Sequence, residues 1–167
     1  YLSMGQNSRA KSKYIHALEL MPKLSEAHTS MGFYYETVGE LEYAEEHYKK
    51  AERKAAMQDF RGALGELNKA IEKDPRYIRA FNFRGYVKDE LDDYYGALQD
   101  YNIAISLKAD YSDAYANRGR AKRKLNDFSG AINDYTTAIE LNPNEKGSYL
   151  GRGIALKEVE DYDGAIK

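Results

Sequence analysis

Apolar and small residues return every 34 positions along this chain, and between returns they fall three and four apart, the spacing of one face of a helix. Ala63, Ala97, Ala131 and Ala165 form one column, Ala70, Ala104 and Ala138 a second, Ile71, Ile105 and Ile139 a third, and Gly85, Gly119 and Gly153 a fourth. Each period is punctuated by an Asp, an aromatic, a Gly, an Ala and an aliphatic: Asp59-Phe60-Arg61-Gly62-Ala63-Leu64, Asp93-Tyr94-Tyr95-Gly96-Ala97-Leu98, Asp127-Phe128-Ser129-Gly130-Ala131-Ile132 and Asp161-Tyr162-Asp163-Gly164-Ala165-Ile166. The Asp suits a helix N-terminus, and the Ala a place where a neighbouring helix comes close. Self-similarity at this period means stacked helix pairs, each unable to bury its apolar face alone. The spacing predicts first helices over Ile78–Leu91, Ser112–Leu125 and Lys146–Val159, and second helices over Phe60–Lys73, Tyr94–Leu107 and Phe128–Leu141. Pro75 and Pro143 end two of the latter. A further second helix is expected to begin at Asp161.

Toward the N-terminus the pattern reads as a helix tail over Tyr1–Met4, a turn at Gly5-Gln6-Asn7, and a helix through Met21 stopped by Pro22. Ser25 caps a helix to about Val38, with Met31, Tyr34, Tyr35 and Val38 inward, Gly39 breaks it, and Leu41 to about Met57 forms the next. The register then slips, because Ala44 and Ala63 are 19 residues apart, 15 short of the period. Residues 50–60 fit both the second helix of the preceding unit and the first helix of the following one. One long helix serving both, residues absent from this numbering, and two joined arrays are all compatible with the slip. The organisation expected is an N-terminal sector, 1–58, and a C-terminal sector, 59–167, in one continuous solenoid.

Composition narrows the function. Lys and Arg number 25 against 27 Asp and Glu, so the net charge of -2 gives no bias toward polyanions and disfavours nucleic acid as the main partner. The absence of Cys removes disulfides, thiolate zinc sites and Cys nucleophiles, and slightly favours a cytoplasmic setting while leaving the compartment open. No apolar run is long enough to span a membrane. No phosphate-cradling, dinucleotide-binding, zinc-protease or calcium-loop spacing occurs, so neither a cofactor nor catalysis is expected. His16, His28 and His47 lack carboxylates at metal spacing and read as surface or packed histidines. The 16 Tyr recur at repeat positions and read as packing residues with a polar tip. The Asp59, Asp93, Asp127 and Asp161 column reads as helix capping, and Glu40, Glu42, Glu45 and Glu46 as a solvated helix N-terminus. Arg84, Arg118 and Arg152 form a ladder whose heads are expected to pair with Asp100 and Asp134.

The columns resemble those of tetratricopeptide repeat (TPR) proteins over nearly the whole length, with Tyr115, Gly119, Ala131, Tyr135, Ala138 and Pro143 supplying the pattern in the best unit. The departures are the Arg84, Arg118, Arg152 ladder in place of an aliphatic, and Lys54, Lys88 and Lys122 in place of an aromatic. The segment Glu45-Glu46-His47-Tyr48-Lys49-Lys50-Ala51 is also faintly similar to repeats of type IV pilus pilotin lipoproteins. The TPR resemblance implies an all-α fold, a right-handed α-solenoid of antiparallel helix pairs, whose first helices line a concave groove that binds protein or peptide. Carried over, the groove residues are Arg79, Asn82, Phe83, Tyr86, Asn117, Arg120, Arg123, Lys124 and Ile154, beside Asp89, Glu90 and Asp113. Family members that clamp acidic chaperone C-termini need Lys, Asn, Asn, Lys and Arg where this chain has Asn82, Tyr86, Asn117, Gly147 and Gly151. Only Asn117 fits, which disfavours that clamp. The partner implied is a protein or peptide, acidic beside a hydrophobic anchor. The alternatives are an assembly element that self-associates through uncapped ends and a helical accessory domain of a larger protein.

Overall fold

The computed structural model describes residues 25–165, which form seven helices and no strand: α1 (Ser25–Ala56), α2 (Phe60–Lys73), α3 (Ile78–Glu90), α4 (Tyr94–Leu107), α5 (Ser112–Lys124), α6 (Phe128–Leu141) and α7 (Lys146–Ala165). The helices expected before Pro22 lie outside the described residues, as do the side chains of Met31, Tyr34 and Tyr35. The predicted bounds of α2, α4 and α6 match the structure, and those of α3 and α5 end one residue earlier than expected.

Tight turns join first helices to second ones, and one residue type does two jobs in each. The first helix closes through a left-handed residue, Gln58, Asp92 or Asn126, at φ 61°, 62° and 62°. The next residue, Asp59, Asp93 or Asp127, donates its backbone N–H to the carbonyl of Lys54, Lys88 or Lys122 at 2.9 Å. That is a six-to-one closure of the helix C-terminus. The same Asp then caps the following helix, its carboxylate accepting from the N–H of Gly62, Gly96 or Gly130 at 2.9 Å. The glycines follow from the cap, because a Cβ there would stand 2.0–2.1 Å from the Asp Oδ2. Consecutive helices are therefore antiparallel. In the first pair Lys54 meets Asp59 and His47 meets Glu66, and in the next Lys88 meets Gly96 and Arg84 meets Asp100.

The core runs along the helix pairs as small residues with an aromatic between them. Ala63, Ala97 and Ala131 are fully buried, as are Ala70, Ala104, Ala80 and Ala114. Tyr101 is completely enclosed, which Gly85 permits: a Cβ on Gly85 would lie 2.6 Å from the Tyr101 ring. Tyr135 sits between Gly119 and Gly151, whose Cβ atoms would approach its ring to 3.3 and 2.4 Å. The expectation that Gly153 is a packing glycine fails, since nothing lies within 4 Å of a Cβ there. In α7 Gly151 faces back onto Tyr135 of α6, whereas no described residue lies against Gly153.

Three other expectations are corrected. Gly39 does not break α1, which continues through it to Ala56; no Gly of the described residues takes positive φ, so Gly39 stays helical at a propensity cost of about 1 kcal/mol. Residues 51–56, where the period slips, lie within this one helix. Glu40, Glu42, Glu45 and Glu46 are consequently mid-helix rather than at an N-terminus. Finally, α7 does not end at Asp161 but runs on to Ala165, so no second helix begins there among the described residues. One change accompanies this: Leu156 replaces the lysine that ties the following helix in the units before it.

Two of the three ladder arginines pair as expected, while Arg152 reaches only the Thr136 hydroxyl, at 3.4 Å, and the Tyr149 ring. Arg84 donates to both oxygens of Asp100 at 2.8 and 2.6 Å, and Arg118 does the same to Asp134. Lys88 and Lys122 add a second cation to each carboxylate at 2.9 and 2.8 Å. The remaining guanidinium edge reaches back to Asn68 or Asn102 of the preceding unit, so each Arg ties three helices.

The glycine geometry makes a paired prediction. Gly85→Ala should lower the urea midpoint through overpacking worth about 1–3 kcal/mol, and Gly119→Leu should act in the same direction. Gly153→Ala should raise the midpoint by about 1 kcal/mol, the helix-propensity gain without a clash. Equal shifts at Gly85 and Gly153 would contradict the assignment.

Candidate functional site

First helices pack directly on one another, α3 on α5 and α5 on α7, so they share one continuous face of the stack. On that face the side chains form a strip that crosses three helices. Arg79 of α3 lies over the Tyr48 ring of α1 at 4.5 Å; Tyr48 meets Phe83 at 5.7 Å; Phe83 stacks on Tyr86 at 6.0 Å with 14° between planes; Arg120 of α5 lies over Tyr86 at 5.2 Å. The strip is thus a row of three aromatic rings with a guanidinium at each end. Helical spacing places it, since Arg79, Phe83 and Tyr86 fall four and three apart.

The two ends differ. Arg79 is more than half exposed and has only Glu52, at 3.7 Å, as a surface partner. Arg120 is held by buried Asp89, Nε to Oδ2 at 2.7 Å. Burial works against the Arg120 charge, but Asp89 more than offsets it and the guanidinium is held protonated. Tyr48 is largely enclosed, and burial pushes its hydroxyl up to about 12. Tyr77 packs against Tyr48 at 5.2 Å and donates its hydroxyl to Glu45; burial first, and that carboxylate second, raise its pKa.

Beside the strip, Asn117 donates to the Asn82 oxygen at 3.2 Å and Asn82 donates to the Tyr111 hydroxyl at 3.4 Å. This bridges α3 to α5 and leaves the Asn117 oxygen and the second N–H of each amide for a ligand. The structure thus brings together six of the nine expected groove residues: Arg79, Asn82, Phe83, Tyr86, Asn117 and Arg120. It does not bring in the other three. Arg123 lies against the Tyr135 hydroxyl, with its Nε buried and lacking an acceptor. Lys124 is exposed at the end of α5, and Ile154 is exposed on α7. Sequence reasoning missed Tyr48 as a member of the site. The signal was available, because residues 50–60 align with a first helix, which places Tyr48 on the helix next to α3.

Among the described residues no three of His, Cys, Asp and Glu converge as metal ligands, and no helix is long and apolar enough to cross a membrane. His47 is buried, packed at a tilt against the Tyr43 ring and hydrogen-bonded to Glu66.

Comparison with known proteins follows the geometry. Residues 112–145, which are α5, α6 and the loop to Glu145, match the family model of the tetratricopeptide repeat. The chain is an all-α helical-repeat solenoid, and its fold is that of TPR domains. The first TPR domain of Spaghetti (RPAP3), solved bound to the HSP90 peptide SRMEEVD, superposes with a TM-score of 0.70 at 22% identity, covering 72% of this chain and 95% of that one. The Arabidopsis OM64 TPR domain gives 0.69 at 22% identity, over 71% and 98%. The TPR2B domain of yeast Sti1 in a pHsp70 complex gives 0.66 at 19% identity, over 70% and 98%. No curated protein matches the chain.

The hydrogen bond from His47 holds the Glu66 carboxyl below its ordinary value of 4.5, with Lys69 assisting. A depressed carboxylate stabilises the fold above its unfolded value, and that stabilisation is lost as pH falls through the folded one. Urea midpoints measured from about pH 6 down to about pH 3 should therefore drop more steeply in the parent than in Glu66→Gln. Parallel curves would show that Glu66 is not linked to folding.

Proposed function

We propose that this chain is a protein- or peptide-binding scaffold, without catalysis, that reads its partner on the shared face of the first helices. The observation that carries this is the aromatic strip Tyr48–Phe83–Tyr86, running across α1 and α3 with Arg79 of α3 at one end and Arg120 of α5 at the other. Such a row offers rigid apolar area for an anchoring side chain, and hydrogen-bonding amides beside it suit an extended backbone. The fold relatives bound to an HSP90 peptide and in an Hsp70 complex support peptide binding as the mode. The peptide SRMEEVD joins carboxylates to apolar Met and Val, the chemistry that a strip of rings flanked by cations would take. The chaperone clamp itself is not carried over, because only Asn117 fits its five positions. In this reading the sectors 1–58 and 59–167 act as one solenoid, with α1 spanning the slip.

The electrostatics shift weight among the cations. Asp89 already neutralises Arg120, and Arg123 is turned toward Tyr135, so the positive charge that an acidic ligand meets on the strip is at Arg79. Exposed pairs contribute about 0.2–1 kcal/mol each. The aromatic row therefore holds most of the affinity, and the cations set orientation and on-rate. Binding near the micromolar level, about -8 kcal/mol, is expected.

A peptide-library pull-down separates the contributions, with circular dichroism confirming that each variant is folded. Phe83→Ala/Tyr86→Ala should abolish capture, while Arg79→Glu should retain folding and lose acidic peptides selectively. Arg120→Glu is a poor probe of the ligand, because removing one partner of a buried pair costs about 3–5 kcal/mol in stability. Capture by the folded aromatic variant equal to that by the parent would place the functional surface elsewhere.

A further inference from the structure

Beside the Arg120 end of the strip lies a cluster of polar side chains from four helices: Asp89 of α3, Tyr101 of α4, Arg120 and Arg123 of α5, and Tyr135 of α6. Asp89 and Arg120 pair at 2.7 Å, and their charges balance. One unit on, 34 residues later, the same two positions hold Arg123 and Ile154. A guanidinium thus replaces the carboxylate and an aliphatic replaces its partner, and no carboxylate pairs with Arg123 among the described residues. Tyr135 reaches the seam between α5 and α7, its ring against Gly119 and its hydroxyl 2.8 Å from where a Cβ of Gly151 would stand. Burial raises the pKa of that hydroxyl, while Arg123 and then Arg120 pull it down, so both guanidinium groups lie about it. Three donors of the cluster are buried without an acceptor: the Tyr101 hydroxyl, Nη2 of Arg120 and Nε of Arg123. Folded interiors rarely leave such groups bare, because each gives up its hydration with nothing in return.

We propose that Arg123, with Arg120 beside it, is a subsite for a single carboxylate of the bound peptide, at the end of the strip opposite Arg79. This rests on the groove reading for its partner, but the cluster has a chemistry of its own. A carboxylate only accepts, and acceptors are what a cluster with surplus donors lacks. Two guanidinium groups stand against the one carboxylate of Asp89, an excess of a single positive charge that a monoanion balances. A phosphate would bring its second charge against Asp89. Glu90 also bears on Arg120, but it is exposed and lies against the Tyr86 hydroxyl. Both arginines are only partly buried, and Arg123 has no ion pair to break before its guanidinium turns onto a ligand, a side-chain change that is common when partners bind. Neither arginine stands at one of the five chaperone-clamp positions. Because Arg120 lies over the Tyr86 ring at 5.2 Å, the acid belongs beside the anchoring residue, on the side away from Arg79.

The first probe is acetate, titrated at constant ionic strength into the nitrogen-15-labelled 167-residue chain while NMR follows the arginine Nε–Hε resonances. The Arg123 and Arg120 resonances should shift saturably, while those of Arg84 and Arg118, already held by Asp100 and Asp134, stay in place. Arg123→Gln breaks no ion pair, so it should leave the melting curve unchanged and weaken acetate about tenfold, read on Arg120. Inorganic phosphate should bind no more tightly than acetate. Shifts that never saturate, an unchanged Kd in Arg123→Gln, or tighter binding of phosphate would each overturn the proposal. Two further probes locate the acid: N-acetyl-Phe-Glu amide carries it on a side chain and N-acetyl-Phe-Gln at the chain end, and each is compared with N-acetyl-Phe-Gln amide. A gain over acetate by either acid-bearing probe ties the subsite to the strip. A gain by neither, with acetate still saturable, would overturn the groove reading and leave the carboxylate site in place, so the two failures are distinguishable.

Discussion

Tyr101 and Tyr135 can be enclosed only because Gly85 and Gly119 put no side chain in their way, and the repeat geometry follows from that approach. A tyrosine driven this close to the neighbouring helix brings the residue before it, Asp100 or Asp134, into the same interior. A lone carboxylate there would be untenable. The arginine one position before each glycine, and the lysine three positions after it, arrive at that carboxylate from the opposite helix. The arginine's last edge reaches the preceding unit through Asn68 or Asn102. Steric contact, ion pair and inter-unit hydrogen bond are thus parts of one arrangement repeated along the stack. It holds the first helices in a row, which is what allows rings from α1 and α3 and a guanidinium from α5 to form a single strip.

The same arrangement explains why some of the structure was legible in sequence and some was not. The 34-residue columns located α2 to α6 within a residue, because each column marks a contact that recurs wherever both partners are present. The Asp caps were legible for the same reason, the residue type and its Gly three positions on being chemically tied. Gly39 misled because glycine alone does not end a helix; the left-handed residue and capping Asp that end the others are missing after it. Gly153 and Asp161 misled because a column records the position and not its partner. In α7 the lysine of the earlier units has become Leu156, no helix returns among the described residues, and Gly153 has no partner there.

The groove was legible as a set of positions but not as chemistry. Arg120 and Arg123 sit on the expected helix, yet Asp89 and Tyr135 approach from other helices and engage them, which spacing within one helix cannot reveal. Tyr48 was hidden by the slip in register, which obscured that the end of α1 serves as a first helix. The resulting surface is less basic and more aromatic than the sequence alone implies, and its affinity should rest on ring contacts with charge as a guide.

The central claim is that partner recognition occurs on the shared first-helix face. It is tested most directly by selecting the tightest peptide from an unbiased library and mapping its amide chemical-shift perturbations on the labelled chain. Perturbations centred on α3 around Arg79, Phe83 and Tyr86, extending to Tyr48 of α1 and Asn117 of α5, are the result the account predicts. Perturbations confined to α2, α4 and α6, with the Phe83 and Tyr86 amides unmoved at saturation, would contradict it.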